Sequence, residues 1–206
     1  MFFKTTKRLF KGQYQYKLVL TCAGASWFRG GDWSGVLENL KKIDLTNKNP
    51  WRRDSIKTEQ DLDYAFKLQS QLKKLTDIDI MVQTPWITIY TNTKSNIDAI
   101  VKLDKDKVKY VSVPPTTPLA ENTIILPKIN HDYRVTLGKT TQEHSAFIEW
   151  AEKSTKLKLT KTCKRELSRD SSWGGTYFYI TGDNNLLLAK MHLGGSINKV
   201  ERIIKA

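Results

Sequence analysis

The residues able to do chemistry are few and scattered. Three histidines, His131, His144 and His192, are the general acid–base candidates. His131-Asp132 is an isolated pair, without the further His and Asp partners that a metal phosphohydrolase needs, and His144 falls in the first turns of an expected helix. His192 reads as the end of a strand beside Gly194 and Gly195, a setting in which one histidine can serve metal-free RNA cleavage. Cys22 and Cys163 stand 141 residues apart with no Cys or His at metal-ligand spacing, which argues against a zinc site and against a disulfide framework. No metal or other cofactor is expected. Gly24–Gly35 lacks a Gly-Lys-Ser/Thr ending and reads as a turn holding Trp27 and Trp33, with Arg29 able to meet a single phosphate.

Basic residues are the richer signal. The chain carries 34 Lys and Arg against 21 Asp and Glu, a formal +13, and an excess of that size favours polyanionic partners. It is also unevenly placed. Met1–Lys17 holds five basic residues, Lys4, Lys7, Arg8, Lys11 and Lys17, and no acid. Lys156–Arg169 holds six, Lys156, Lys158, Lys161, Lys164, Arg165 and Arg169, against Glu166 alone. Ten of the thirteen excess charges therefore sit in 31 residues. If Leu157–Cys163 is a strand, alternation turns Lys156, Lys158, Thr160, Thr162 and Lys164 to one face as a basic ribbon. Trp173, Tyr177, Phe178 and Tyr179 follow it, and cations beside stackable rings are what single-stranded nucleic acid binding uses. The plainer reading is a lysine-protected edge strand with at least one of those rings in the core. Lys48–Arg53 adds Trp51 beside two arginines, a possible stacking site. The N-terminal run reads as an arm for phosphate or as a ragged end.

These groups need elements to hold them. In the first half, Tyr16–Cys22 reads as a strand with Met1–Phe10 paired to it as a hairpin about Lys11-Gly12, and Ser34 as the cap of a helix over Val36–Ile43. Thr58–Leu75 is the clearest helix, with Thr58 and Asp61 as a capping box. Strands around Ile78–Val82 and over Trp86–Thr91, a helix over Asn96–Leu103 and a strand over Val108–Val113 complete a β-α-β-β-α-β order. In the second half, Tyr133–Leu137 is a strand, Thr141–Lys153 a helix, Thr176–Thr181 and Leu186–His192 a hairpin about Gly182–Asn185, and Ile197–Ile204 a final helix.

The fold class expected is α+β, two ferredoxin-like (RRM-like) sandwich units in tandem: residues 1–113 with a basic N-terminal arm, a Pro-containing linker 114–130, and residues 131–206. Two local echoes suggest duplication: Ile87–Val101 with Leu188–Ile203, and Ser26-Trp27…Gly30-Gly31 with Ser172–Gly175. At 206 residues and 39 % hydrophobic the chain is long and apolar enough for real cores, which excludes a disordered or fibrous protein. No stretch nears the roughly 20 apolar residues of a membrane span, and Lys17–Ala25 is too short and poorly flanked for a signal peptide. The expected location is cytoplasmic.

Ser171–Ala206, together with the earlier YRVTLGK and HSAFIEWAEK segments, resembles the C-terminal end of uncharacterised tailed-bacteriophage proteins. The resemblance covers about the last 75 residues and implies a phage or mobile-element origin, hence a host cytoplasm, with no activity attached. The function expected is nucleic-acid binding, RNA or DNA, without catalysis, through Lys4, Lys7, Arg8, Lys11, Lys156, Lys158, Lys161, Lys164, Arg165, Arg169 and Trp173. The alternatives are a metal-independent endoribonuclease using His192 or His131, and a virion or complex subunit with a protein partner.

Overall fold

Thr58 shows how local chemistry places the first long element. Its Oγ1 accepts from the Asp61 N–H at 3.1 Å and donates to the Asp61 carboxylate at 3.0 Å. This is the expected cap, and helix α2 (Glu59–Lys74) follows it with Tyr64, Ala65, Leu68 and Leu72 turned inward. The structure, a computed structural model, describes residues 2–46, 56–116 and 119–205. Lys48–Arg53, with Trp51, lies outside the described residues. Contacts divide the chain into two units, Met1–Pro118 and Leu119–Ala206.

The first unit contains β1 (Phe3–Thr5), β2 (Tyr16–Thr21), a 3-10 segment (Ala25–Gly31), α1 (Trp33–Lys41), α2, β3 (Ile78–Gln83), β4 (Trp86–Thr91), α3 (Lys94–Val101) and β5 (Val108–Val113). Its sheet runs β1-β5-β2-β4-β3. The β5-β2, β2-β4 and β4-β3 pairs are antiparallel, while β1 joins β5 in parallel. Leu18, Leu20, Ile87, Ile89 and Val111 turn from the sheet toward Leu68, Leu72, Ile97 and Ile100 of the helices, making one core on one side. Each fully buried Leu or Ile there is worth roughly 1.5–3 kcal/mol.

The second unit contains β6 (Thr123–Ile125), β7 (Tyr133–Leu137), α4 (Ser145–Lys153), β8 (Leu157–Leu159), α5 (Lys161–Leu167), β9 (Tyr177–Ile180), α6 (Asp183–Leu193) and β10 (Ile197–Ile204). Its sheet runs β6-β10-β7-β9-β8, again antiparallel except for the parallel outer pair β6-β10. Val135, Leu137, Phe178 and Ile180 meet Phe147, Ala151, Leu186, Ala189 and Leu193 in its core. Among the described residues no helix is long and apolar enough to cross a membrane.

The two sheets correspond strand for strand. Lys17 pairs with Tyr90 across β2-β4, and Arg134 with Tyr179 across β7-β9. The last strand bulges at the same place in both, between Val108 and Tyr110 opposite Leu20 and Val19, and between Ile197 and Lys199 opposite Leu137 and Thr136. The strand preceding β2, and likewise that preceding β7, lies on the outer edge beside the last strand. The chain then crosses the open face of the sheet. In the first unit Phe10 and Tyr14 stand 5.8 and 6.2 Å from the Tyr90 ring, and Lys11 Nζ is 2.6 Å from Asp79 on β3. In the second, Leu126 and Ile129 pack on Ile124, Tyr179 and Ile203, and the His131 ring stacks on Tyr179 at 6.0 Å.

Several expectations are corrected. Met1–Phe10 is not a hairpin partner of β2, because β4 and β5 already flank β2 and leave it no free edge. The stretch expected as a linker, 114–130, includes β6, which is part of the second sheet. Leu186–His192 is helix, not strand, and Ile197–Ile204 is strand, not helix. Leu, Ala, Lys and Met favour the helix, and the spaced Ile and Val of INKVERII suit a strand. The echoes also fall out of register: the counterpart of β4-α3 is β9-α6, so Leu188–Ile203 is one element too late.

Candidate nucleic-acid interface

The basic segment Lys156–Arg169 does not form one ribbon. Thr160 ends the strand: its Oγ1 accepts from the Cys163 N–H at 3.1 Å and donates to the Tyr177 carbonyl at 3.0 Å, capping α5. Leu157–Leu159 alone is strand, and residues 161–167 are helix. Cys163 and Leu167, four apart, turn inward, so Lys161, Lys164 and Arg165 stand outside with Arg169 just beyond the helix end. Lys156 precedes β8, and Lys158 lies on the open face of the sheet opposite Tyr179. Burial pushes the Cys163 thiol up to about 11 and the Cys22 thiol to about 12, so both are inert at neutral pH.

The acids nearby organise these cations. Lys164 pairs with Glu152 of α4. Glu166 Oε1 lies 3.1 Å from Arg169 and 3.5 Å from Arg165, and Glu166 Oε2 accepts from Ser172 Oγ at 2.8 Å. The Ser172 hydrogen bond, followed by the two arginines, holds the Glu166 carboxyl below its usual range.

Trp173 is 91 % exposed. The backbone beside it is nevertheless tied down. Thr140 and Ser172 exchange both backbone hydrogen bonds, at 2.9 and 3.0 Å, and Gly175 N–H donates to the Leu137 carbonyl at 2.8 Å. Gly174 adopts a φ of +79°, and a Cβ there would stand 2.2 Å from the Gly138 carbonyl oxygen. Only glycine lets the loop lie this close to the end of β7. Lys139, the residue after Gly138, brings its Nζ to 5.6 Å from the Trp173 ring centroid. Sequence reasoning missed Lys139; its position just past Leu137-Gly138, facing the Ser172-Trp173 loop, is a tertiary fact.

Of the aromatic run, Phe178 is in the core, while Tyr177 and Tyr179 face the other way. Tyr177 is covered by the Arg134 guanidinium at 4.0 Å, and Tyr179 by the crossing segment. Trp173 is thus the ring presented to solvent.

Lys4, Lys7, Arg8 and Lys11 belong to the first unit and are part of its folded structure rather than an arm. Lys4 lies on β1 with its Nζ 4.3 Å from the Tyr110 ring centroid, and Lys11 is paired with Asp79. Lys7 and Arg8 are exposed on the segment that crosses the sheet.

His192 is on the surface of α6, its ring 5.3 Å from Trp150 and stacked at 22°, not at a strand end. His144 is buried, with Nε2 3.2 Å from Ser196 Oγ, and His131 Nδ1 is 3.0 Å from Thr181 Oγ1. Burial lowers the affinity of both for a proton, helped at His131 by Lys158. A histidine whose folded value is lowered takes up its proton more readily unfolded, so stability falls as pH drops below the unfolded value of about 6.5. Urea midpoints are expected to decline between pH 7 and pH 5, and His144→Gln to flatten part of that decline; parallel curves for the two proteins would refute the assignment. Among the described residues no group of three His, Cys, Asp or Glu is gathered to hold a metal.

No family model, curated protein or solved structure matches the chain.

Proposed function

We propose that this chain is a non-catalytic protein that binds single-stranded nucleic acid through the connection between β8 and β9, carried on two ferredoxin-like (RRM-like) units, and that it serves a phage or mobile element. The fold part of the reading is supported by the orders β5-β2-β4-β3 and β10-β7-β9-β8, antiparallel throughout, with a helix returning the chain between the first and second and between the third and fourth strands of each set.

One observation carries the function. In the first unit the middle strands are joined by two residues, Thr84 and Pro85, whereas in the second the corresponding joint spans residues 160–176. That extension is not needed to close a hairpin. It carries Lys161, Lys164, Arg165 and Arg169 together with the most exposed large apolar side chain of the described residues, Trp173. Cations that follow a phosphate backbone beside a ring that stacks on any base bind single strands without reading sequence.

The test is fluorescence anisotropy of labelled single-stranded RNA and DNA titrated at several salt concentrations. Binding should weaken with salt, with a slope in log–log form of about −0.7 per phosphate contacted. Absence of binding by both polymers at low salt would refute the proposal. A second reading, a subunit of a protein assembly, draws on Leu187, Leu188 and Met191, which α6 leaves exposed. A defined oligomer free of nucleic acid, seen by light scattering, would favour it.

A further inference from the structure

The correspondence between the two sheets places a second tryptophan beside the same strand end. Trp86 opens β4 and pairs with Thr21, the last residue of β2. Carried through the shared register, the matching pair in the second unit is Gly175 with Gly138, so Trp173 lies two residues before the counterpart of Trp86. Each unit thus presents one tryptophan at the end of its sheet where the first central strand finishes. Each ring has a lysine from elsewhere in the unit beside it: Lys139 near the largely exposed Trp173, and Lys109 over Trp86 with Nζ 3.9 Å from the ring centroid.

The bulge explains how Lys109 comes to be there. Val108 and Val111 both point into the core, which leaves two residues between them where strict alternation would send one to each side. Lys109 and Tyr110 are therefore both turned to the open face, and this re-aiming is what a bulge does to a strand. Lys4 and Lys17 flank Tyr110 on that face, with Nζ atoms 4.3 and 5.5 Å from its centroid. The second unit has the same bulge, with Asn198 in the place of Lys109. There the lysine and the ring are supplied instead by the β7 exit and the β8-β9 connection. Two different local solutions give the same pairing of ring and cation at the same corner.

The open face is not uniformly available. Phe10 and Tyr14 cover the Tyr90 end, and Thr88 and Val19 are buried, whereas Trp86 at the opposite end of β4 keeps 39 % of its surface. The free portion therefore offers one large ring with one cation on it, Lys109, while Lys17 lies at the covered end over Phe10 and Tyr90, and Lys4 stands level with Lys17 on the edge strand. A base laid on Trp86 displaces the Lys109 ammonium from the ring, and the adjoining phosphate gives that charge a stronger partner.

We infer that Trp86 and Lys109 form a second single-stranded nucleic-acid site, so that one chain holds two short stretches of strand, one in each unit. The inference rests on the reading of Trp173 given above, and the two can fail separately. The experiment is a titration of the full chain with a short single-stranded oligonucleotide of about six nucleotides, long enough for one such site, followed by isothermal calorimetry. The wild type should take up about two equivalents. Trp86→Ala should take up one, with its remaining affinity within about twofold of the Trp173 site, and Trp173→Ala should likewise take up one. Lys109→Glu leaves the ring in place and guards against misfolding; it should lose the same equivalent as Trp86→Ala. A single equivalent in the wild type that Trp86→Ala and Lys109→Glu leave intact overturns the second site while leaving the first. Complete loss of binding in Trp173→Ala does the same. No uptake by the wild type removes both.

Discussion

Changing Lys139, Lys161, Arg165 and Arg169 together to glutamate is expected to weaken single-strand binding by about a hundredfold or more at low salt, and to flatten its salt dependence. Lys164 is left in place because Glu152 already compensates it. Of the other four, Lys139 stands at the Trp173 ring, Arg165 and Arg169 meet Glu166, which holds the neighbouring Ser172, and Lys161 is on the same connection; each reversal removes one released counterion and adds a repulsion. If all four meet phosphate, the log–log slope shrinks by about 0.7 for each. Arg165 and Arg169 also touch Glu166, whose carboxylate holds Ser172, so a milder variant is needed beside the reversal. Arg165→Gln with Arg169→Gln removes the charge without adding another acid near Glu166. Its affinity should fall by an intermediate amount while its far-ultraviolet circular dichroism stays native. Wild-type affinity in the fourfold variant would remove the β8-β9 connection from the binding surface.

Phe178→Ala is the substitution expected to cost most in stability. The side chain is wholly buried, and its ring packs on Phe147 with centroids 5.3 Å apart. Truncating a phenylalanine at such a site costs about 3–5 kcal/mol, a large part of the roughly 5–15 kcal/mol that holds a domain folded. Phe178 contributes to the core of the second unit alone, so calorimetry should show that unit's transition displaced to lower temperature and the first unit's retained. A transition that moves by less than about 2 °C would contradict the packing described.

What the sequence made legible follows the strength of local signals. Val108–Val113 and Tyr133–Leu137 are strands over the expected residues, and Thr58 caps α2 as its spacing with Asp61 suggests. In these cases periodicity and capping agree. The failures occur where two periodicities compete. The Lys/Thr alternation of residues 156–164 imitates a strand, but Thr160 is a cap, and Cys163 with Leu167 at a spacing of four is the helix signal that alternation hid. Leu186–Leu193 is apolar on more than one side, so its composition resembles a buried strand while its residues favour a helix. The division into two α+β units was readable; the close register match was not, because Tyr16-Lys17-Leu18-Val19-Leu20 and Tyr133-Arg134-Val135-Thr136-Leu137 look like ordinary strands until pairing sets them side by side. For the proposed site, Trp173 and the α5 cations stood out by composition, whereas the ring contacts of Lys139 and Lys109 depend on segments brought together by the fold.

The outer parallel pair β1-β5 sets an order for synthesis. Phe3 lies beside Val111, so the first strand of the unit has no partner until more than a hundred residues later have left the ribosome. Until then Phe2 and Phe3 have no sheet edge to join, and the segment with Phe10 and Tyr14 has no completed face to cross. Pairing across so long a separation is slow, which makes closure of that edge a late event in the life of each new chain. The second unit repeats the arrangement, β6 waiting for β10. In both, the residues made first are the last to be fixed, and a strand-edge partner such as a chaperone has its longest opportunity there.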